Sequence, residues 1–126
     1  MKVIILAAGA SRRLGLNQPK SLIKIKGTNL IEIQLNQLLK AGIKPEDINI
    51  VTGFKYQDFK YLKVNQILND EYKYSHQVKS ILSCSSYIDF ANEDILVSYG
   101  DVLYESSIIT ELLNSKFDIT VPYLTD

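Results

Sequence analysis

The sequence predicts an α/β fold, a Rossmann-like three-layer sandwich in which helices cover both faces of a mostly parallel mixed sheet. Two observations predict it. The run from Lys2 to Ala7 carries apolar residues on both of its alternating faces, as a central strand covered on each side does. Apolar runs of similar length then alternate along the chain with amphipathic segments at helical spacing, which is the pattern of strand–helix–strand units.

The first such unit ends near residue 53. Asn29 followed three residues later by Glu32 resembles a capping box, which predicts a helix start. Gly42 provides a stop for that helix. A turn at 44–47 then leads into a predicted strand, Ile48 to Thr52. The apolar residues that share one face of the helix are Ile31, Leu35, Leu38 and Leu39.

The remaining elements continue the alternation. In chain order we predict a short helix within Lys55 to Lys63, an edge strand Val64 to Leu68, a helix Gln77 to Phe90, a strand Asp94 to Tyr99, a helix Ser106 to Ser115 and a strand Asp118 to Tyr123. In such a sheet the ligand crevice lies beyond the carboxyl ends of the strands, so we expect the functional residues there.

Composition excludes several classes of function. The chain has 126 residues, which we interpret as one domain over 1–126, and 14 Lys+Arg balance 14 Asp+Glu. Zero net charge argues against a nucleic-acid partner and against a polybasic membrane surface, and no apolar run approaches a membrane span. With Cys84 as the one cysteine and His76 as the one histidine, neither an internal disulfide nor a zinc site is expected. A cytoplasmic location fits these features.

The loop after the first strand carries the chemistry. Its glycines allow backbone amides to approach an anion, and cations follow them, which favours a phosphate ligand. The dinucleotide fingerprint is not present, because Ser11 and Leu14 stand where it needs glycine. A P-loop is also disfavoured, because Pro19 precedes Lys20 where that motif needs glycine.

The motifs of this loop and its surroundings resemble those of the sugar-nucleotidyltransferase superfamily of NTP transferases. The segments that carry the resemblance are residues 6–14 (LAAGASRRL), 19–22 (PKSL), 30–32 (LIE), 51–55 (VTGFK) and 98–101 (SYGD). Residues 51–55 and 69–80 are most similar to the small cytidylyltransferases that activate phosphocholine or phosphonates. The chain resembles the N-terminal, nucleotide-binding half of such enzymes. We therefore expect a fragment, or a site completed by another chain.

The resemblance implies a Mg²⁺-dependent enzyme. It would transfer a nucleotidyl group, with CTP as the expected donor, to a phosphorylated or phosphonate small molecule and release pyrophosphate. By family position, the resemblance implies that Arg13 binds the leaving β and γ phosphates, that Lys20 binds the α-phosphate and that Asp101 binds Mg²⁺. It also implies that the backbone of Leu6, Ala8 and Gly9 contacts the nucleobase. Gln77 and Ser80 would contact the base or the ribose. Helix capping explains Gln77 and Ser80 nearly as well. Asp101 taken alone would be a turn carboxylate.

Several alternatives stay open. After the CTP-dependent transferase, the second hypothesis is a nucleotide-binding module without turnover, and the third is a uridylyl- or guanylyltransferase of the same superfamily. Three tyrosines, Tyr72, Tyr74 and Tyr104, are candidates for an aromatic cage around a quaternary ammonium group, although ordinary packing also explains them. We interpret Cys84 as a small core side chain. Self-association into a homo-oligomer is expected if apolar sheet surface stays uncovered.

Overall fold

Residues 1–9, 17–72 and 77–122 are described by the computed structural model of the chain. Its elements are the strands β1 (Lys2–Ala7), β2 (Lys24–Ile25), β3 (Thr28–Asn29), β4 (Ile48–Thr52), β5 (Asn65–Leu68) and β6 (Ile95–Tyr99), and the helices α1 (Leu30–Lys40), α2 (Gln77–Leu82) and α3 (Ser106–Leu113). Four of the strands form one sheet in the order β5-β4-β1-β6, and every neighbouring pair is parallel. The expected parallel α/β sheet is confirmed.

The side chains of β1 alternate between two separate cores. Val3 and Ile5 face a core built with α1 and α3, where Ile31, Leu38 and Ile109 are buried. Ile4 faces the opposite core, which contains Ile67, Cys84 and Ile88. A strand apolar on both faces therefore has helical or turn segments on each side of the sheet, as the three-layer prediction requires. Cys84 is fully buried, which confirms its interpretation as a core residue.

Both ends of α1 form by local hydrogen bonding. The Asn29 side-chain oxygen accepts a hydrogen bond from the Glu32 amide at 2.9 Å, which confirms the predicted cap. At the other end Gly42 takes a φ of +96°, and the Ile43 amide donates to the Leu38 carbonyl at 3.1 Å. With the Gly42 amide bonded to Leu39, this is a Schellman motif, and it places the helix end at the predicted glycine.

A β-hairpin that the sequence analysis did not predict precedes α1. Strands β2 and β3 pair antiparallel across the two residues Lys26 and Gly27, which have φ angles of +52° and +86°. Two successive positive φ values are those of a type I′ turn. The hairpin stands apart from the main sheet, so antiparallel pairing enters the described fold here.

Three predicted elements differ in extent. The helix predicted from Gln77 to Phe90 ends at Leu82, because the Ser83 hydroxyl bonds to the Ser80 carbonyl and the next amides bond three residues back in tight turns. The segment predicted as a helix within Lys55 to Lys63 holds a short 3-10 helix, Tyr56–Phe59. The helix α3 stops at Leu113, two residues before the predicted end.

The strand predicted from Asp118 to Tyr123 is wrong for the residues that the structure describes there. Residues 118–122 have no strand geometry and join no ladder, although they lie beside β6. Ile119 and Val121 are 85% and 72% exposed, so the alternating pattern is not buried by a second layer. Pro122 also has no amide hydrogen with which to extend a ladder. Alternation without a partner strand is insufficient to form a strand.

Candidate functional site

A cleft of about 470 Å³ opens at the carboxyl ends of the parallel strands, and we call it the strand-end cleft. It lies where an open α/β sheet is expected to bind its ligand. Five chain segments supply its walls. They are Leu6 to Gly9 at the end of β1, Lys20 and Ser21, Asn69 and Tyr72, Gln77 and Ser80 on α2, and Tyr99 and Asp101 at the end of β6.

The cleft brings together every predicted site residue within the described ranges. These are Leu6, Ala8, Gly9, Lys20, Gln77, Ser80 and Asp101. They are separated by as many as 95 positions in sequence (Leu6 to Asp101). Arg13, the predicted ligand of the leaving phosphates, lies outside the described residues. Tyr74 and His76 lie outside them as well.

The end of β1 forms the floor of the cleft and is bonded to both flanking strand ends. The Leu6 carbonyl accepts a hydrogen bond from the Gly100 amide at 2.9 Å, and the Ala8 carbonyl accepts one from the Phe54 amide at 3.0 Å. Each carbonyl oxygen retains a second lone pair. Gly9 is exposed, and a Cβ added there would meet no described atom within 4 Å. The floor thus offers backbone groups and open space beside Gly9.

A cation and a carboxylate lie on neighbouring turns at one side of the cleft. Lys20 begins the 3-10 turn Lys20–Leu22 and is half-buried, whereas Asp101 is exposed. The turns pack tightly, since a Cβ on Gly100 would lie 2.5 Å from the Ser21 side-chain oxygen. Among the described residues neither Lys20 nor Asp101 has a salt-bridge partner. Their charges are therefore available to a ligand.

The opposite side is built around Asn69, which the site prediction did not include. Asn69 is buried, and its amide nitrogen donates to the Ser80 hydroxyl oxygen at 3.0 Å. The Asn69 side-chain oxygen accepts a hydrogen bond from the Glu71 backbone amide at 3.1 Å, and the Asn69 backbone amide donates one to the Thr52 carbonyl at 2.7 Å. Ser80 thus orients the Asn69 loop as well as lining the cleft. Gln77 is the first residue of α2, and it is exposed.

Tyr72 forms an aromatic wall of the cleft and lies apart from Tyr104, the other candidate cage residue that the structure describes. Its ring packs edge-on against Phe54, with centroids 6.4 Å apart, and a Cβ on Gly53 would lie 2.7 Å from the Tyr72 Cβ. Tyr104 instead packs against the core beneath α1 and α3, where burial raises the pKa of its phenol. Tyr72 and Tyr104 therefore lie at separate sites, which corrects the cage prediction for this pair.

The donor set fits a metal held jointly with a nucleotide. The described residues contain no group of three or more His, Cys, Asp or Glu side chains placed to hold a metal ion. Asp101 is the carboxylate that lines the cleft. Mg²⁺ is usually bound by one or two carboxylates together with substrate phosphates and water, rather than by a protein cage. One exposed carboxylate in a cleft that Lys20 also lines meets that pattern.

Several contributors to the site carried too weak a sequence signal to be predicted. Ser21, Asn69 and Tyr99 lie in segments that carry the family resemblance, but the sequence of those segments does not indicate that these side chains line the cleft. Gln34 had a signal that was overlooked, because it is a polar residue between Ile31 and Leu35 on the apolar face of α1. It is fully buried and bonds to the β6 end of the cleft. No helix in the described part of the chain is long and apolar enough to cross a membrane.

Comparisons with known proteins find relatives across nearly the whole chain. The choline-phosphate cytidylyltransferase of Haemophilus influenzae is 35% identical over 93% of this chain and 51% of its own length. The CTP:phosphoglutamine cytidylyltransferase of Campylobacter jejuni is 28% identical over 96% of this chain and 51% of its own length. The chain therefore spans about half the length of the curated relatives it matches.

Solved structures agree with the fold. The CTP:phosphocholine cytidylyltransferase from Streptococcus pneumoniae superposes with a TM-score of 0.68 at 29% identity, covering 84% of this chain and 49% of that one. The inositol-1-phosphate CTP transferase from T. maritima, at 23% identity and a TM-score of 0.71, covers 93% of this chain and 49% of that one and supports the fold alone. A family model described as the MobA-like NTP transferase domain matches residues 3–124. The chain therefore belongs to the family of MobA-like NTP transferase domains.

Proposed function

We propose that residues 1–126 form the nucleotide-binding domain of a Mg²⁺-dependent cytidylyltransferase. The reaction would transfer a cytidylyl group from CTP to a small phosphorylated or phosphonate acceptor. One observation carries the proposal: seven predicted site residues from separate segments line the strand-end cleft together. The relatives named for phosphocholine, phosphoglutamine and 2-aminoethylphosphonate favour CTP and this class of acceptor.

The proposed chemistry is a substitution at phosphorus. A phosphate or phosphonate oxygen of the acceptor attacks the α-phosphorus of CTP, the bond from that phosphorus to the bridging oxygen breaks, and pyrophosphate leaves with the bond electrons. Negative charge grows on oxygens around the α-phosphorus, so a fixed cation there lowers the barrier. We assign this role to Lys20, and the β and γ phosphates to Arg13.

The remaining residues would bind and orient the nucleotide. The backbone of Leu6 and Ala8 would contact the base, with Gly9 leaving room for base and sugar. Gln77 and Ser80 would contact base or ribose from α2. Asp101 would hold Mg²⁺, which when bound neutralises phosphate charge.

The proposed cellular setting and partners follow from composition. A net charge of zero supports a small-molecule ligand rather than nucleic acid. A buried lone cysteine and the absence of a membrane-length helix among the described residues support a cytoplasmic location. The partners proposed are CTP and its acceptor.

Nucleotide-dependent melting tests the proposal directly. We expect CTP with Mg²⁺ to raise the melting temperature more than UTP, GTP or ATP do, because a ligand at about 100 times its Kd stabilises the native state by about 2.7 kcal/mol. GTP or UTP giving the largest shift would replace the cytidylyl assignment with a guanylyl or uridylyl one. A shift with ATP equal to or larger than the shift with CTP would contradict the cytidylyl assignment.

Pyrophosphate release then separates an enzyme from a binding module. The chain is mixed with CTP, Mg²⁺ and, in turn, phosphocholine or 2-aminoethylphosphonate, with omission of acceptor as the control. Release that depends on the acceptor supports transfer. CTP binding without release would favour a nucleotide-binding module without turnover.

We also propose that the chain self-associates through the edge of β6. Val97 and Tyr99 on that edge strand are 44% and 48% exposed, and exposed apolar edges favour pairing with another chain. Light scattering should show a mass that grows with concentration. Val97→Lys should bring it to the monomer value, and a wild-type chain that is monomeric at all concentrations would contradict the proposal.

A further inference from the structure

Gln34 is a primary amide enclosed in the core. It lies in the middle of α1 with 0% of its surface exposed, on the face that also carries Ile31 and Leu38. A buried amide is stable only where its donors and acceptor find partners. The partners of Gln34 therefore indicate why a polar side chain occupies this position.

The hydrogen bonds of the Gln34 side chain go to the carboxyl end of β6 and to the turn that follows it. Its nitrogen donates to the Tyr99 carbonyl at 2.8 Å and to the Val102 carbonyl at 2.9 Å. Its oxygen accepts a hydrogen bond from the Ser98 hydroxyl at 3.1 Å. One side chain thus uses both donors and its acceptor on a stretch of five residues, 98–102.

The two carbonyls that Gln34 holds are the ends of the turn containing Gly100 and Asp101. The turn's own hydrogen bond, from the Val102 amide to the Tyr99 carbonyl, is long at 3.3 Å. The two bonds from Gln34 are shorter and start from a helix anchored in the core. They therefore fix the backbone of the turn from which the Asp101 carboxylate extends into the cleft.

We propose that Gln34 is a positioning residue that sets the Asp101 turn for binding a metal–nucleotide complex. The proposal rests on the proposed function, in which Asp101 holds Mg²⁺. Residues that orient a metal ligand without touching the metal commonly change metal affinity 10–100-fold when they are replaced. Gln34 has the geometry of such a residue, because it hydrogen-bonds to the backbone carbonyls of Tyr99 and Val102 on either side of Asp101.

The same helix supplies a matched control. Gln37, three residues further along α1, is half-buried, and its side-chain oxygen accepts a hydrogen bond from the Ser106 amide at 2.9 Å. That bond holds the start of α3 and does not reach the Asp101 turn. Gln34→Leu and Gln37→Leu therefore make the same substitution on one helix, and only the Gln34 change removes hydrogen bonds to the turn.

The experiment compares CTP affinity in Mg²⁺ with CTP affinity in EDTA by calorimetry for the wild type and both variants. We expect Mg²⁺ to tighten CTP binding to the wild type, Gln34→Leu to reduce that enhancement by roughly 10–100-fold, and Gln37→Leu to preserve it. Metal-free CTP binding should change little in either variant. A loss shared equally by both conditions, or the same loss in Gln37→Leu, would overturn the positioning role.

Hydrogen exchange on the ligand-free chain tests the structural half independently. Amides of residues 100–103 should exchange about tenfold faster in Gln34→Leu, as expected for the loss of a hydrogen bond, and at the wild-type rate in Gln37→Leu. Unchanged exchange rates at residues 100–103 in Gln34→Leu would overturn the inference, whatever the CTP affinities show. Faster exchange with intact Mg²⁺ enhancement would overturn the positioning role alone.

Two results separate this inference from the proposed function. If Mg²⁺ does not change the CTP affinity of the wild type, the proposal that Asp101 binds Mg²⁺ is wrong, and so is the positioning role of Gln34. The exchange data would still show whether Gln34 holds the turn. If Gln34→Leu does not fold, Ser98→Ala removes the bond that orients the Gln34 amide and should show a smaller loss of enhancement in the same direction. No loss in Ser98→Ala would overturn the proposal.

Discussion

Gly100→Ala should destabilise the protein through a single contact between two cleft turns. Gly100 is buried, and a Cβ built on its backbone would lie 2.5 Å from the Ser21 side-chain oxygen, whereas ordinary contact begins at 3.4 Å. The Ala7 Cβ at 3.1 Å and the Leu6 carbonyl oxygen at 3.2 Å close the other directions. The added methyl group therefore has no free space to occupy.

The cost follows from how little these neighbours can yield. The Leu6 oxygen belongs to β1 and already accepts the Gly100 amide, and Ser21 is 4% exposed, so relief requires rotation of the buried Ser21 hydroxyl or a shift of the Lys20 turn. Overpacking of this kind typically costs about 1–3 kcal/mol. For a domain of this size we expect the melting temperature to fall by roughly 3–12 °C.

Thermal melting of three variants measures this cost. Gly9→Ala is the control for folding, since its Cβ meets no described atom within 4 Å and it should melt within a degree or two of the wild type. Ser21→Ala removes the oxygen at 2.5 Å. The double variant with Gly100→Ala should therefore recover most of the lost stability, a coupling that a double-mutant cycle detects.

Additivity in that cycle would refute the reasoning, because it would show that Ser21 is not what Gly100→Ala encounters. A Gly100→Ala variant as stable as the wild type would refute it as well. CTP affinity adds a second check on the same samples. If the Lys20 turn shifts, we expect weaker nucleotide binding in Gly100→Ala and its partial recovery in the double variant.

Three further predictions concern Lys20, the ion pair at the other end of the sheet, and the buried thiol. In a full-length active enzyme, Lys20→Ala should lower kcat by about 10²–10³ with a much smaller change in the Kd for CTP, and equal losses would make Lys20 a ground-state phosphate ligand. The Lys2 ammonium lies 2.8 Å from the Asp47 carboxylate and lowers the pKa of that carboxyl below its ordinary value of 3.8. The ion pair therefore stabilises the folded state fully at pH values above 3.8, and this stabilisation is lost as the pH falls through the lowered pKa. The melting difference between wild type and Asp47→Asn should therefore be present at pH 7 and shrink below pH 3.8, and a constant difference down to pH 2 would contradict the assignment. Burial raises the pKa of the Cys84 thiol to about 11, so a thiol reagent at pH 8 should react only as fast as the protein opens, and rapid labelling of the native state would be inconsistent with this packing.

The sequence predicted those parts of the fold whose signals are local. The strand β1 is predicted within a residue or two because apolar residues occupy both of its faces. The helix α1 is predicted equally well because it begins at a capping residue and ends at a glycine. The β2–β3 hairpin was missed, since its strands are two residues each and Lys26 at a positive φ is an unusual turn residue. The strand at 118–122 failed because strand formation depends on a partner that the pattern itself does not reveal.

The candidate site shows the same division. Residues at motif positions after a strand, such as Gly9 and Asp101, reach the cleft because strand ends converge at one edge of a parallel sheet, and Lys20 reaches it on the 3-10 turn Lys20–Leu22. Gln34 acts through hydrogen bonds to distant backbone, and Gln34 and Tyr99 are 65 positions apart. Such contacts depend on the tertiary packing of α1 against β6, and a single sequence carries little information about them.

The floor of the cleft is also part of the central strand, and this constrains how such a protein can acquire a new ligand preference. Ala7 and Ala8 are 6% and 8% exposed, one toward each core, so enlarging either would disturb packing before it changed recognition. The freedom to vary lies on the rim, where Gln77 and Tyr99 are exposed. A library that randomises rim positions and leaves β1 untouched should therefore yield folded chains with altered ligand choice far more often than one that randomises the floor.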